Sequence, residues 1–84
     1  GSIASGAEIV AGGSIHIYGT LRGRALAGAN GDPRAQIFCQ NFDAELIAVN
    51  GVYLTAEDAD PALRGQAIRA RHEDGVLRLT SQRR

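Results

Sequence analysis

The side chains capable of chemistry are few, and their spacing suits holding better than reacting. Ser5 has no obvious base near it in the chain, so it is not read as a nucleophile. His16 and His72 lie far apart and follow no metal-ligand pattern. With a single cysteine, a zinc site is not expected. Cys39 itself sits in an alternating run between apolar neighbours and reads as a small packed hydrophobe. Glu57, Asp58 and Asp60 form an acidic cluster without the spacing of a calcium loop, and read as a solvated segment. None of the glycines precedes a Lys-Ser/Thr pair, so no phosphate loop is present. What remains is Arg22-Gly23-Arg24. Two guanidinium groups flanking a glycine can grip carboxylates on an acidic partner surface, or can pair within the chain to Asp43 or Glu45. No catalytic residue, no metal ligand and no cofactor is assigned.

The elements that must carry these residues are strand-sized. Ala7–Gly13, Ala25–Gly31 and Ala44–Gly51 read alike, each an apolar run closed by a glycine turn, and they start 18 and then 19 positions apart. Such a repeat points to a coiled sheet rather than a helical domain. Each run is followed by another: Ser14-Ile15-His16-Ile17-Tyr18, Gln36-Ile37-Phe38-Cys39-Gln40, and Val52-Tyr53-Leu54. Their alternation places Ile15, Ile17, Ile37, Cys39, Val52 and Leu54 inward, with His16, Phe38 and Tyr53 stacked outside. Short joining segments at Ile3–Gly6, Leu21–Arg24 and Phe42-Asp43 give the repeat a third side. Asp32-Pro33-Arg34 reads as an inserted surface loop. The expected fold is all-β: a right-handed triangular β-helix of about three short coils, spaced about 4.8 Å apart.

The outer face of the first runs is apolar as well. With Ala7, Ile9 and Ala11 inward, Val10, Leu26, Ile47 and Val49 would form an outward stripe, beside outward Glu8, Gly28 and Glu45. Strands apolar on both faces are normally covered on both. Either the segment 63–80 covers the stripe or a second copy does; the reading taken is a homodimer through Val10, Leu26, Ile47 and Val49.

After Thr55 the repeat stops. Asp60 and Pro61 fit the N-cap and first position of one helical turn. Beyond it, residues 67–71 and 76–80 alternate around Asp74-Gly75, a hairpin that could cap the open end of the coil. The chain is thus read as one domain over residues 1–84, with the repeat in 3–55 and the cap in 56–84.

Composition narrows the function classes. Alanine-rich apolar content, at 44% hydrophobic with only 5% aromatic, suits a thin core. A formal net charge of zero argues against nucleic acid as a partner, because phosphate binding needs a basic field. A lone cysteine fits a reducing compartment. No apolar stretch approaches the roughly 18 residues of a membrane span, and no signal peptide is visible. A β-helical carbohydrate enzyme would need carboxylates clustered on one face, which the repeat lacks.

The run Ile15-His16-Ile17-Tyr18-Gly19-Thr20-Leu21-Arg22-Gly23-Arg24-Ala25-Leu26-Ala27-Gly28 resembles the central motif of the C-terminal domain of the septum-site-determining MinC family. The resemblance continues through Gly31-Asp32, Gln36-Ile37-Phe38-Cys39 and Ala44-Glu45-Leu46, and covers most of residues 3–80. It implies a non-enzymatic adaptor: a right-handed β-helix that dimerises by one sheet and binds the membrane-associated ATPase MinD. MinD would bring it from the cytoplasm to the inner membrane, where the family antagonises the division polymer FtsZ, directly or through the MinD complex. The family's MinD-binding motif, Arg-Ser-Gly-Gln, opens the domain one coil earlier. This chain has no such sequence, and Ala4-Ser5-Gly6-Ala7 corresponds to the second coil, so the first coil is expected to be lacking. Because corners one coil apart stack, the resemblance carries the partner-binding site to Ser5, Gly6, Arg22, Gly23 and Arg24. The alternative is a structural β-helix of the bactofilin kind, which would associate end to end into filaments.

Overall fold

The computed structural model describes residues 2–82. The ends of the expected domain, residue 1 and residues 83–84, lie outside the described residues. The chain is all-β, with strands β1 (Glu8–Val10), β2 (Ile15–Leu21), β3 (Arg24–Ala27), β4 (Gln36–Phe42), β5 (Leu46–Val49), β6 (Val52–Thr55), β7 (Ile68–Glu73) and β8 (Val76–Ser81). They form two four-stranded sheets, ordered β1-β3-β5-β6 and β2-β4-β7-β8.

The first five strands pair in parallel from one repeat to the next. β1 pairs parallel to β3, β3 to β5, and β2 to β4, so the chain returns to each sheet one coil later. Beyond the irregularity in the β2–β4 ladder between Ile17 and Thr20, further backbone contacts join the corners. Ile3 bridges Leu21 in parallel, Leu21 stands opposite Phe42, and Asp43 N–H donates to Leu21 O at 2.9 Å. Gly65 N–H in turn donates to Phe42 O at 2.7 Å.

The coil then stops, and the reason is local. Asn50 and Gly51 both have positive φ, 53° and 77°, which is the geometry of a two-residue hairpin turn. β6 therefore folds back antiparallel on β5 instead of running on beside β4. Asp74 and Gly75 repeat the device at φ 53° and 79°, joining β7 to β8, and β7 closes the edge of β4 in antiparallel register. The expected C-terminal hairpin is therefore present, as is the Asp60 cap: its carboxylate accepts from Ala62 N–H at 3.0 Å at the head of a 3-10 turn, Pro61–Leu63. The third member of the expected outer stack is not where the repeat put it. His16 and Phe38 stack with centroids 4.7 Å apart, but Tyr53 stands on the other sheet, opposite Ala48.

Side chains from both sheets share one core. Leu21, Ile37, Ile47, Val49 and Ile68 are its most completely buried large side chains, Phe42 also lies in it, and alanines 25, 27, 35, 44 and 70 fill the narrow space between. Ile15, Ile17 and Cys39 point inward as alternation requires, while Val52 and Leu54 are half-buried. The outward placement of Ile47 and Val49 is corrected here, since their exposures are 1% and 0%. The apparent repeat matched Ala25 to Ala44, whereas the ladder matches Ala25 to Ile47, an odd number of residues further on. An odd slip turns every side chain to the opposite face. Gly28, also read as outward, is a buried turn residue with φ 61°.

Candidate corner and sheet-face surfaces

The first candidate surface is the corner where three consecutive coils meet. Ala4 to Ala7 form a tight turn, closed by Ala7 N–H donating to Ala4 O at 3.0 Å. Coil two lies directly against it: Gly23 N–H donates to Ile3 O at 3.3 Å, and Arg24 N–H to Ala7 O at 2.9 Å. Gly23 has to be glycine for this approach. A Cβ there would collide with the carbonyl oxygens of Ala7 and Ala4. Coil three continues the stack, with Glu45 N–H donating to Gly23 O at 2.9 Å.

The structure thus brings Ser5, Gly6, Arg22, Gly23 and Arg24 to one place. Gly23 is buried there, so its contribution is to backbone packing, while Ser5, Gly6 and Arg22 are exposed. Arg22 Nε lies 4.0 Å from Asp43, which Arg64 also engages. Arg24 Nε lies 3.6 Å from the Glu8 carboxylate, beyond hydrogen-bond range, and that nitrogen is buried without a hydrogen-bond partner. Exposed pairs of this kind contribute about 0–1 kcal/mol, so the guanidinium groups stay free to exchange partners.

Glu45 joins the same corner, and it was not among the site residues read from the sequence. One of its carboxylate oxygens accepts from Ser5 Oγ at 2.8 Å and from Gly6 N–H at 3.0 Å. The Ser5 hydroxyl, then the Gly6 amide, hold the carboxyl below its usual range, and Arg24 adds to the effect. The sequence signal was weak, because the partners are 40 residues apart; only the stacking of corners could have suggested it.

The second candidate surface is the outer face of the β1-β3-β5-β6 sheet. The ladders align Val10, Leu26, Ala48 and Tyr53 in one row and Glu8, Arg24, Leu46 and Thr55 in the next. Val10 and Tyr53 are strongly exposed, at 55% and 63%. Val10 and Leu26 lie on this face as the sequence reading had them; Leu46 and Tyr53 stand where Ile47 and Val49 had been placed, and Ala48, between Leu26 and Tyr53 in the row, is only 2% exposed. The segment 63–80 does not cover it, because β7 and β8 extend the other sheet.

The remaining chemical candidates do not converge. Cys39 is buried, and desolvation pushes its thiol up to about 11 despite hydrogen bonds from the Ile68 and Asn41 backbone. Among the described residues, no group of three or more His, Cys, Asp or Glu side chains could hold a metal ion. Among them, too, no helix is long and apolar enough to cross a membrane.

The chain is similar to known proteins in both sequence and fold. Residues 1–82 match the family described as "Septum formation inhibitor MinC, C-terminal domain". The chain is 68% identical over 68 residues to a probable septum site-determining protein MinC of Brucella abortus, which covers 81% of this chain and 27% of that protein. It is 59% identical over 80 residues to the corresponding protein of Rhodopseudomonas palustris, covering 95% of this chain and 35% of the relative. The chain therefore spans about a third or less of the length of these curated relatives. A chain of the MinC:MinD cell division protein complex of Aquifex aeolicus superposes with a TM-score of 0.83 at 30% identity, over 95% of this chain and 65% of that one. Because the family match runs almost end to end, the chain belongs to the family of MinC septum formation inhibitor C-terminal domains.

Proposed function

We propose that this domain is a non-enzymatic adaptor of a cell-division inhibitor, which pairs with a second copy by one sheet face and docks the ATPase MinD at its corner. The observation that carries the reading is the juxtaposition of the exposed Ser5–Gly6 turn with Arg22 and Arg24. Two guanidinium groups at one corner suit a partner surface that offers carboxylates. The relative in the MinC:MinD complex of Aquifex aeolicus supports the choice of partner. The dimer face in this reading is centred on Val10 and Leu26, with Leu46 and Tyr53 completing it. Its apolar row, bordered by Glu8 and Arg24, has the apolar-centre, polar-rim character of a protein interface. The winding of the first coils is read as that of a right-handed, three-sided β-helix, ended by the two hairpins. The domain works in the cytoplasm, reaches the inner membrane only through MinD, and so helps to place inhibition of FtsZ assembly.

The experiment is a pull-down of purified MinD, with ATP and with ADP, on this chain and on its Arg24→Ala variant. ATP-dependent capture that falls at least about tenfold in the variant supports the reading. Equal capture by both chains, or none by either, overturns it. Filaments seen by electron microscopy of the chain alone would favour the scaffold alternative instead.

A further inference from the structure

The backbone of coil two anchors the ends of the Ser5–Gly6 turn, but it does not reach the tip. Ile3 and Ala7, on either side, accept backbone hydrogen bonds from Gly23 and Arg24. Ser5 and Gly6 project beyond them, and a Cβ built on Gly6 would meet nothing within 4 Å. Packing therefore does not fix the tip. Gly6 also sits at φ 83°, a conformation that glycine leaves easily. The group that reaches the tip is the Glu45 carboxylate, with hydrogen bonds of 2.8 Å to Ser5 Oγ and 3.0 Å to Gly6 N–H. It comes from coil three, whose Glu45 N–H also donates to Gly23 O at 2.9 Å.

We propose that Glu45 is a positioning residue of the docking corner: its carboxylate ties the tip of the Ser5–Gly6 turn and presets the shape that the partner meets. The inference rests on the reading of the corner as the MinD-docking site. A tip held before docking loses less conformational freedom on binding than a free one, so removing the tie weakens binding without touching the contact surface.

The test uses this chain with Glu45→Ala, Glu45→Gln and Arg24→Ala, read by affinity for ATP-loaded MinD, amide hydrogen exchange at Gly6, and thermal midpoint. Glu45→Ala is expected to weaken binding roughly tenfold and to speed Gly6 exchange, with the midpoint nearly unmoved because the side chain is exposed. Glu45→Gln keeps an acceptor oxygen in place and should restore most of the affinity. Unchanged binding in Glu45→Ala, alongside a loss in Arg24→Ala, overturns the positioning role and leaves the docking corner standing. A loss in Glu45→Gln as large as in Glu45→Ala overturns it too, since charge rather than geometry would then be at work. If none of the three variants alters binding, the docking corner itself is wrong.

Discussion

Ile47 stands opposite Ala25 in the parallel ladder between β3 and β5, and both side chains are buried in the shared core. A small residue on coil two thus faces a large one on coil three, which is how a narrow interior accommodates both. Ile47→Ala should destabilise the domain by about 2–5 kcal/mol, the usual range for such a truncation at a buried site. Denaturant titration measures it, and a loss below about 1 kcal/mol would contradict the inward placement.

The same ladder separates fold from association. Val49 is fully buried, so Val49→Asp should unfold the chain, whereas Leu26→Asp lies on the outer face and should spare the fold. Light scattering after size exclusion at low micromolar concentration is expected to find Leu26→Asp monomeric, with its dimer weakened by about 2 kcal/mol or more. Circular dichroism of both variants tells the two effects apart.

Gly23→Ala tests the corner without altering charge. The added methyl would press on the Ala4 and Ala7 carbonyls, so the turn must move. Overpacking of this kind costs about 1–3 kcal/mol, and here it should appear as a lower thermal midpoint together with faster exchange of the Arg24 amide, whose acceptor is Ala7. An unchanged midpoint would refute the close approach.

The Cys39 thiol should be inert in the native state. Its pKa is raised from 9.0 to about 11, chiefly by burial, so at pH 8 only on the order of one thiol in a thousand is ionised. Reaction with a disulfide reagent should be slow until denaturant is added. Because the folded value is the higher one, the unfolded thiol ionises first as pH rises. Stability should therefore fall between about pH 9 and 11, by about 1.4 kcal/mol per unit at most.

Glu45 has the opposite sign. Its folded value is lowered from 4.5, first by Ser5 and then by Gly6, so the tie is fully present above the unfolded value. It should be lost as pH falls through the lower folded value. The Gly6 amide resonance, followed by NMR on acidification, should titrate with a midpoint below 4.5 in the parent chain and not at all in Glu45→Ala.

Much of the architecture was legible because it depends on local rules. Ile15, Ile17, Ile37 and Cys39 alternate with polar neighbours, and Asp74-Gly75 and Asp60-Pro61 announce a hairpin and a helical turn. Asn50-Gly51 is as strong a hairpin signal as Asp74-Gly75. It was read as one more corner because it fell in phase with the earlier glycine turns. That one misreading placed Val52–Leu54 on the wrong sheet and carried Tyr53 into the wrong stack.

The sequence by itself determined the strand-sized repeat, the inward alternation along β2 and β4, the C-terminal hairpin and, through the Leu21–Gly28 motif, the family. Tertiary structure decided the register of coil three against coil two, and with it which of Ile47 and Ala48 faces the core. It also decided that Glu45 meets Ser5 and Gly6. Register depends on how many residues the intervening loop absorbs, and stacking brings together residues 40 apart. Neither quantity leaves a periodic trace along the chain, so both are settled only when the coils pack.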